Sequence, residues 1–173
     1  TLASGARVLD VLDESPQTDE IEEGASLDGF DGAAASHVDF SYGDACVLSD
    51  VELSIQPGQV VRIAGRSGSG KSTLLKLFMW FWDADSGAIE VSGYDVRRVA
   101  TASLRQVEGF MTQETHLFAG TVRDNLVFAK PGASDEEIIA ACEKASIADF
   151  VRRLPAGLDT QVGELGDALS GGE

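Results

Sequence analysis

Hydrophobic and polar residues alternate in the first third of the chain, which is the pattern of strands with one buried face. The alternation covers residues 37–42 and 47–55, and a turn at residues 43–44 separates the two runs. Because Pro57 and Gly58 follow the second run, we expect another turn there. The pattern therefore predicts two antiparallel strands.

After these strands the pattern changes to continuous apolar runs and helical spacing. The apolar runs at residues 60–64 and 107–111 predict buried strands, and a shorter strand is expected at residues 88–91. Helical spacing predicts helices at residues 72–82, 103–106, 121–128, 134–145 and 147–154. A chain that mixes strands with helices around an apolar core indicates an α/β fold.

The helix predicted at residues 134–145 has a distinct start signal. Ser134 followed by Glu137 is a capping box, in which each side chain accepts a hydrogen bond from a backbone N–H at the start of the helix. Ile138, Cys142 and Ala145 recur on one face of this helix, and we expect that face to be buried.

The helix predicted at residues 72–82 ends in several aromatic residues. Such residues more often pack in a core than contact a cofactor, so we interpret them as packing residues. They are Phe78, Trp80, Phe81 and Trp82.

Charge is distributed unevenly. The net charge is −16, and no Lys or Arg lies between Arg7 and Arg62. This balance argues against nucleic acid or anionic lipid as a direct partner. Residues 1–34 begin with helical spacing and continue as an acidic, Gly-, Ala- and Ser-rich stretch, which predicts the tail of an upstream helix followed by a solvated linker. Because the chain starts at Thr1 rather than Met, we expect it to be a piece of a longer protein.

Cysteine and histidine residues predict no functional site. Cys46 and Cys142 are far apart in sequence and lack metal-ligand spacing, which indicates free thiols in a reducing compartment. His37 and His116 are also isolated, so surface or packing roles are favoured for both. The sequence contains no run of about 18 apolar residues, the length that predicts a membrane-spanning helix.

Residues 65–73 match the phosphate-binding pattern G-x-x-x-x-G-K-[ST] and lie between a predicted strand and a predicted helix. We predict a nucleotide site that includes all nine residues of the match: Gly65, Arg66, Ser67, Gly68, Ser69, Gly70, Lys71, Ser72 and Thr73. The alternative is a Gly/Ser-rich connector, which the strand–loop–helix context disfavours.

The chemistry of such a loop follows from its residue types. Gly65, Gly68 and Gly70 are expected to adopt positive φ, so that the backbone wraps around a phosphate with its N–H groups facing the anion. Lys71 is expected to reach the β- and γ-phosphates, and the Ser72 hydroxyl to bind Mg²⁺.

Beyond the loop, residues 38–173 resemble the nucleotide-binding domain of ATP-binding cassette (ABC) transporters, most closely those of the exporter type. Four further motifs carry the resemblance. They are an aromatic-loop segment ending at Tyr42, a glutamine-loop segment that runs from Met111 through Gln113 to Leu126, a segment at residues 161–166 that resembles the exporter sequence before the signature, and the signature Leu-Ser-Gly-Gly-Glu at residues 169–173.

The resemblance implies a partial P-loop NTPase fold of the ABC ATPase type. It consists of an N-terminal antiparallel β subdomain, the first half of the P-loop core, and an α-helical subdomain at about residues 114–173 within a domain spanning residues 35–173. Tyr42 would stack on the adenine of ATP, although alone it is more often an aromatic residue at a strand end. Gln113 would face Mg²⁺ and the attacking water, so that Lys71 and Gln113 carry the catalytic roles.

The resemblance also implies partners. Ser170, Gly171 and Gly172 would bind ATP held by the loop of a second ATP-binding domain, identical or different, in a dimer. The other partner would be a transmembrane permease domain of the same chain. The parent would then be a transporter that couples ATP binding and hydrolysis to transport, with this segment at the cytoplasmic face of the membrane.

The chain ends inside the signature, whereas the family's general base lies after it. Glu164 and Glu173 are poor candidates for that base, since neither lies on a strand predicted to face the nucleotide. We therefore expect the chain alone to bind ATP·Mg²⁺ weakly and to hydrolyse it negligibly. The alternatives are an inert interaction module and, from a different enzyme class, a P-loop kinase or GTPase, which has no reason to carry the Gln113 segment and the signature.

Overall fold

The chain divides into two compact units, Thr1–Phe110 and Met111–Glu173, which we call the sheet unit and the helical unit. The computed structural model describes residues 20–112 and 116–163. Within these ranges, none of the helices combines the length and the apolar character needed to cross a membrane.

The sheet unit is built on four antiparallel strands in the spatial order β2-β1-β3-β4. The strands are β1 (Ala33–Tyr42), β2 (Ala45–Ile55), β3 (Ser86–Val91) and β4 (Tyr94–Asp95). The hairpin of β1 and β2 pairs Ala33 with Ile55 at one end and Tyr42 with Ala45 at the other. The strands predicted at residues 37–42, 47–55 and 88–91 are confirmed.

Two helices and a 3-10 turn cover this sheet: α1 (Lys71–Phe78), Val96–Arg98 and α2 (Thr101–Val107). The core between sheet and helices is apolar, and the most fully buried of its side chains come from β1, α1, the 3-10 turn region and α2. They are Val38, Leu77, Val99 and Leu104. Because α1 buries Leu74 and Leu77 against this core, its first turn is fixed relative to the sheet.

The strands predicted at residues 60–64 and 107–111 are wrong. Residues 60–64 have no regular secondary structure, Val107 ends α2, and residues 108–111 are irregular. Val60 and Met111 are 96% and 91% exposed. Apolar composition alone does not make a strand, because its backbone groups need a neighbouring strand, and none among the described residues pairs with either segment.

Part of the acidic stretch differs from the solvated linker that its composition predicts. The backbone N–H of Leu27 donates to Ser103 Oγ at 2.7 Å, and the Leu27 side chain is buried in the core. The N–H of Ala25 donates to the carbonyl of Arg98 at 2.7 Å. From Ile21 onward this stretch therefore packs along α2, and its acidic side chains face outward.

The helical unit contains three short helices and a two-stranded antiparallel sheet of β5 with β6. Its elements are β5 (Gly120–Thr121), α3 (Val122–Leu126), α4 (Asp135–Lys144), α5 (Ala148–Arg153), a 3-10 turn (Gly157–Asp159) and β6 (Gln161–Val162). The helices predicted at residues 121–128, 134–145 and 147–154 are confirmed with shorter ends.

The capping box of α4 is confirmed. Ser134 Oγ accepts from the N–H of Glu137 at 3.3 Å, and the Glu137 carboxylate accepts from the N–H of Ser134 at 2.9 Å. Ile138 and Cys142 are buried as expected. Ala145 is exposed because it is the C-cap residue, where the chain leaves the helix.

Candidate nucleotide-binding site

The loop between residues 65 and 70 leads directly into α1 and has the backbone geometry of a phosphate loop. Gly68 and Gly70 have φ of 77° and 81°, in the left-handed region that glycine adopts without steric cost. Gly65 does not share this conformation, which corrects the expectation for that residue. A β-carbon there would lie 2.6 Å from Ser69 Oγ, so a larger residue at position 65 would displace the Ser69 hydroxyl.

Gly70 joins the loop to the β1–β2 hairpin. A β-carbon on Gly70 would lie 2.7 Å from Leu48 Cδ2 and 3.1 Å from the carbonyl oxygen of Val47. Contacts below 3.0 Å are not tolerated without movement, so a larger residue would displace the Leu48 side chain or the start of α1. The hairpin therefore fixes where the helix begins.

Lys71 holds the loop in its curved shape. Its ammonium group donates to the carbonyl oxygens of Arg66 at 2.7 Å and Gly65 at 3.1 Å, and more weakly to Ser69 Oγ at 3.4 Å. Within the described residues no acidic side chain forms an ion pair with Lys71. Its positive charge is therefore not neutralised by a carboxylate there, and the long contact with Ser69 is the one most readily exchanged for a phosphate oxygen.

The first turn of α1 differs from those of α3 and α4, whose N-termini are closed by capping boxes. The N-cap of α1, Gly70, provides no side-chain cap, and its first turn contains no acidic residue. The free N–H groups and the helix dipole therefore favour an anion at this position. Ser72 is exposed at this turn, whereas Thr73 is buried.

Charge near the loop is opposite in sign to that of the whole chain. The net charge of the chain is −16, yet residues 53–82 contain four basic residues and no acidic one. The four are Arg62, Arg66, Lys71 and Lys76. Arg66 and Ser67 are exposed at the outer side of the loop. A basic segment of this kind attracts a polyanion such as a triphosphate.

Tyr42 lies at the end of β1, next to the hairpin turn that leads to Val47 and Leu48. Its ring is 38% exposed and packs edge-to-face against Phe40 and Trp82, with centroid distances of 4.8 and 5.3 Å. Since Gly70 contacts the same hairpin, Tyr42 and the loop are anchored to one structural element.

The segment that leads towards Gln113 is tied to the end of α1 by Arg105. The Arg105 guanidinium donates to the carbonyl of Met79 at 2.5 Å and to Glu108 at 3.0 Å, and it lies 5.3 Å from the centre of the Phe81 ring. Burial raises the pKa of Glu108 to about 7, although the nearby Arg105 charge acts in the opposite direction. Phe110 packs edge-to-face against Phe81 at 5.9 Å.

Several of the predicted site residues fall where the structure gives no description. Gln113, Ser170, Gly171 and Gly172 lie outside the described residues, as do Glu164 and Glu173. Of the predicted metal ligands, only Ser72 is described. Residues 20–112 and 116–163 include no group of three or more His, Cys, Asp or Glu side chains arranged to hold a metal ion.

The structure adds two contacts that sequence reasoning missed. Trp82 was expected to pack in the core, and it does pack, but one of its partners is the exposed Tyr42. Leu48 was expected only as a strand residue, yet its side chain packs where a β-carbon at position 70 would lie. A cluster of aromatic residues shortly after a phosphate loop is a weak signal for the first contact, and no sequence signal identifies the second.

Comparison with known proteins agrees with this geometry. The ABC transporter family model matches residues 48–173. A protein of Haemophilus influenzae described as a probable ABC transporter ATP-binding/permease protein is 45% identical over 173 residues, which are 100% of this chain and 31% of that protein. An ATP-dependent lipid A-core flippase of Syntrophus aciditrophicus is 40% identical over 99% of this chain and 29% of its own length.

A solved structure agrees as well. A bacterial Atm1-family ABC exporter with ATP bound superimposes with a TM-score of 0.86 and 35% sequence identity, covering 99% of this chain and 30% of the exporter. The chain thus spans about a third of the length of these relatives. The phosphate loop, the four-stranded sheet and the comparisons place the chain in the ABC transporter family, as a nucleotide-binding domain of the exporter type with a P-loop NTPase fold.

Proposed function

We propose that this domain binds ATP with Mg²⁺ and, in the intact protein, couples ATP binding and hydrolysis to transport of a substrate across a membrane. The observation that carries the proposal is the loop from Gly65 to Lys71. Its curvature is held by the lysine, its helix N-terminus lacks a side-chain cap, and its surroundings are basic.

In this proposal the triphosphate lies in the loop against the first turn of α1. The N–H groups of that turn and the Lys71 ammonium stabilise the β- and γ-phosphate oxygens. Arg66, Ser67, Gly68 and Ser69 supply the outer wall of the loop, and Thr73 supports it from the buried side. The base would stack on the exposed part of Tyr42, at the end of the hairpin that also contacts Gly70.

Mg²⁺ is the implied metal, and the described residues fit it in part. Mg²⁺ in nucleotide sites is held by one or two protein groups together with phosphate oxygens and water. The exposed Ser72 hydroxyl at the start of α1 supplies one such group, and Gln113 is proposed as the second. When bound, the metal would neutralise charge that develops on the transferring phosphoryl group.

The proposed partners are those that membership of the ABC transporter family implies. Ser170, Gly171 and Gly172 would complete the ATP site of a second nucleotide-binding domain, so that function requires a dimer. A permease domain of the same protein would receive the motion of this domain, which would lie at the cytoplasmic face of the membrane. The name of the Haemophilus influenzae relative, an ATP-binding/permease protein, supports this arrangement.

For the 173-residue chain alone we propose weak ATP·Mg²⁺ binding and negligible hydrolysis. Phosphoryl transfer requires a residue that positions the attacking water as well as phosphate contacts. Within the described residues, no carboxylate contacts the loop or Lys71, so none of them is placed to act as that residue.

Calorimetric titration of the full-length protein with ATP·Mg²⁺ tests the proposal. Lys71→Ala should weaken ATP binding about 10- to 100-fold, because a charged hydrogen-bonding group is worth about 1.5–3 kcal/mol. Lys76→Ala is the matched control, since Lys76 lies on the same helix without contacting the loop, and it should bind ATP like the wild type.

The second candidate, an inert interaction module, makes the opposite prediction. It would show no heat of binding and no thermal shift at millimolar ATP in the wild type, and that result would overturn the proposed function. ATP turnover that survives Lys71→Ala in the 173-residue chain would instead contradict the proposal that the chain alone is inactive.

A further inference from the structure

We propose that Trp82 is a positioning residue for the nucleotide base: it holds the ring of Tyr42 in the orientation in which adenine stacks. This inference rests on the proposed function, because it assumes that Tyr42 receives the base. Trp82 itself is not expected to touch the nucleotide.

The contacts that support it form a three-ring cluster. The Tyr42 ring meets Phe40 at a centroid distance of 4.8 Å and an angle of 89°, and Trp82 at 5.3 Å and 87°. Phe40 and Trp82 contact each other at 6.1 Å. Phe40 is buried in the core, Trp82 is half-buried and Tyr42 is exposed, so the cluster extends from the core to the surface.

An exposed tyrosine at a strand end is ordinarily free to change rotamer. Two perpendicular ring contacts limit both the position and the tilt of Tyr42, since each edge-to-face pair has a preferred geometry. Phe40 lies on the same strand as Tyr42, so it links the ring to the phosphate loop only through the hairpin. Trp82 adds an independent link, because it comes from the chain that follows α1.

The position of Trp82 is determined by how α1 ends. The N–H of Phe81 donates to the carbonyl of Lys76 at 2.9 Å, and the N–H of Trp80 donates to that of Leu77 at 2.9 Å. These are the two hydrogen bonds of a Schellman motif. Its left-handed position, usually glycine, is taken by Trp80 with φ of 46°.

Trp80 is fixed in this uncommon conformation by its surroundings. Its side chain is buried, and its indole N–H donates to Asp83 at 2.9 Å. A non-glycine residue in the left-handed region persists when packing and hydrogen bonds over-determine it. The turn after α1 is therefore defined, and it places Trp82 against Tyr42.

The two ends of the proposed ATP site are thus connected through one helix. α1 begins at Gly70 in the phosphate loop and ends in the turn that carries Trp82. The hairpin provides the second connection, from Gly70 through Leu48 to Tyr42. A ring that is already oriented loses less conformational entropy on binding, so Trp82 should increase affinity for the base.

A purely structural role for Trp82 predicts a different pattern of ligand affinities. If Trp82 only fills the core, its replacement should lower the free energy of unfolding and leave the relative affinities for ligands with and without a base unchanged. If it positions Tyr42, its replacement should weaken ATP binding selectively. Inorganic tripolyphosphate is the probe that separates the two, because it carries the phosphate chain without adenine.

The experiment compares dissociation constants for ATP·Mg²⁺ and tripolyphosphate·Mg²⁺ in the full-length protein. Trp82→Leu should weaken ATP binding roughly 2- to 10-fold, the worth of one edge-to-face aromatic pair. Tripolyphosphate binding should stay at the wild-type value. Trp82→Phe, which keeps a ring, should restore most of the ATP affinity. Tyr94→Leu is the matched control, since Tyr94 is an exposed aromatic residue of β4 outside the three-ring cluster, and it should leave both constants unchanged.

Tyr42→Ala separates failure of this inference from failure of the proposed function. If Tyr42→Ala binds ATP as tightly as the wild type, the proposed role of Tyr42 is wrong, and the inference about Trp82 fails with it. If Tyr42→Ala weakens ATP binding and Trp82→Leu does not, only the inference is overturned.

Two further results would overturn the inference. One is an equal loss of affinity for ATP and tripolyphosphate in Trp82→Leu, and the other is an undiminished effect of Trp82→Leu in the Tyr42→Ala background. Should Trp82→Leu fail to fold, Trp82→Met replaces it. Methionine also lacks a ring but adapts its shape to gaps in packing, and this variant is judged by the same comparison.

Discussion

Gly70 and Leu48 lie so close together that a β-carbon at position 70 would displace the Leu48 side chain. The added β-carbon would lie 2.7 Å from Leu48 Cδ2, and the backbone of Gly70 has φ of 81°. Glycine is therefore favoured twice at this position, once for its backbone conformation and once for the contact with the hairpin. This relationship fixes the start of α1, and with it the N–H groups proposed to bind phosphate.

Gly70→Ala should lower the free energy of unfolding by more than left-handed backbone strain alone accounts for. The strain costs about 1–2 kcal/mol, and displacement of Leu48 adds to it. Thermal unfolding measures the change. Gly58→Ala is the matched control, because Gly58 has φ of 73° with no atom near its would-be β-carbon. Equal destabilisation of the two variants would contradict a role for the contact with Leu48.

Ser72→Ala should reduce the advantage that Mg²⁺ gives to ATP binding. The factor by which Mg²⁺ increases ATP affinity should fall roughly tenfold, which is the low end of what removal of a supporting group costs a metal site. The measurement is the ratio of ATP dissociation constants in EDTA and in Mg²⁺. Ser67→Ala removes a hydroxyl from the same loop, away from the helix N-terminus, and should keep the wild-type ratio. A wild-type ratio in Ser72→Ala would exclude the hydroxyl as a metal ligand.

Glu108 should make stability depend on pH. Burial raises its pKa to about 7 in the folded protein, from 4.5 without such surroundings. Between these values the folded state binds more protons than the unfolded state, so the contribution of Glu108 to stability falls as pH rises from about 4.5 to about 7. Glu108→Gln keeps the shape and removes the titration.

We therefore expect the melting temperature of Glu108→Gln to rise relative to the wild type between pH 5 and pH 8. Glu23→Gln, at an exposed position, should have the melting temperature of the wild type at both pH 5 and pH 8. A constant difference between Glu108→Gln and the wild type across this range would show that Glu108 titrates normally.

Ser134→Ala should destabilise the helical unit by about 1 kcal/mol, the usual cost of losing an N-cap side chain. The loss concerns one hydrogen bond at the start of α4, so Ser134→Thr, which keeps the hydroxyl, should cost only a few tenths of that. Chemical unfolding followed by circular dichroism measures both variants. Equal effects of Ala and Thr would mean that the hydroxyl of Ser134 does not stabilise the helix.

Much of the fold follows from local patterns. The alternation at residues 37–42 and 47–55 predicted the hairpin, because a strand with one buried face needs an apolar residue at every second position. Ser134 and Glu137 predicted the start of α4, because a capping box satisfies backbone groups within one turn. In both cases the interaction that forms the element lies close to it in sequence.

The failed predictions involve distant partners. Residues 60–64 have the apolar composition of a buried strand but no strand to pair with among the described residues, and Val60 is almost fully exposed. Gly65 was expected at positive φ because of its motif, whereas its backbone lies outside that region and the Ser69 hydroxyl packs beside it. The roles of Gln113, Ser170, Gly171 and Gly172 stay predictions from the sequence.

The sequence by itself determined that this protein has a phosphate loop and which residues form it, because the spacing of glycines, lysine and hydroxyl encodes the local chemistry. The resemblance to an ABC-type domain came from the further motifs that contain Tyr42, Gln113 and Ser170. Only the tertiary structure decided that Leu48 confines Gly70 and that Trp82 lies against Tyr42. Both contacts join segments more than 20 residues apart in the chain, and packing of that kind depends on the sheet and helix being assembled.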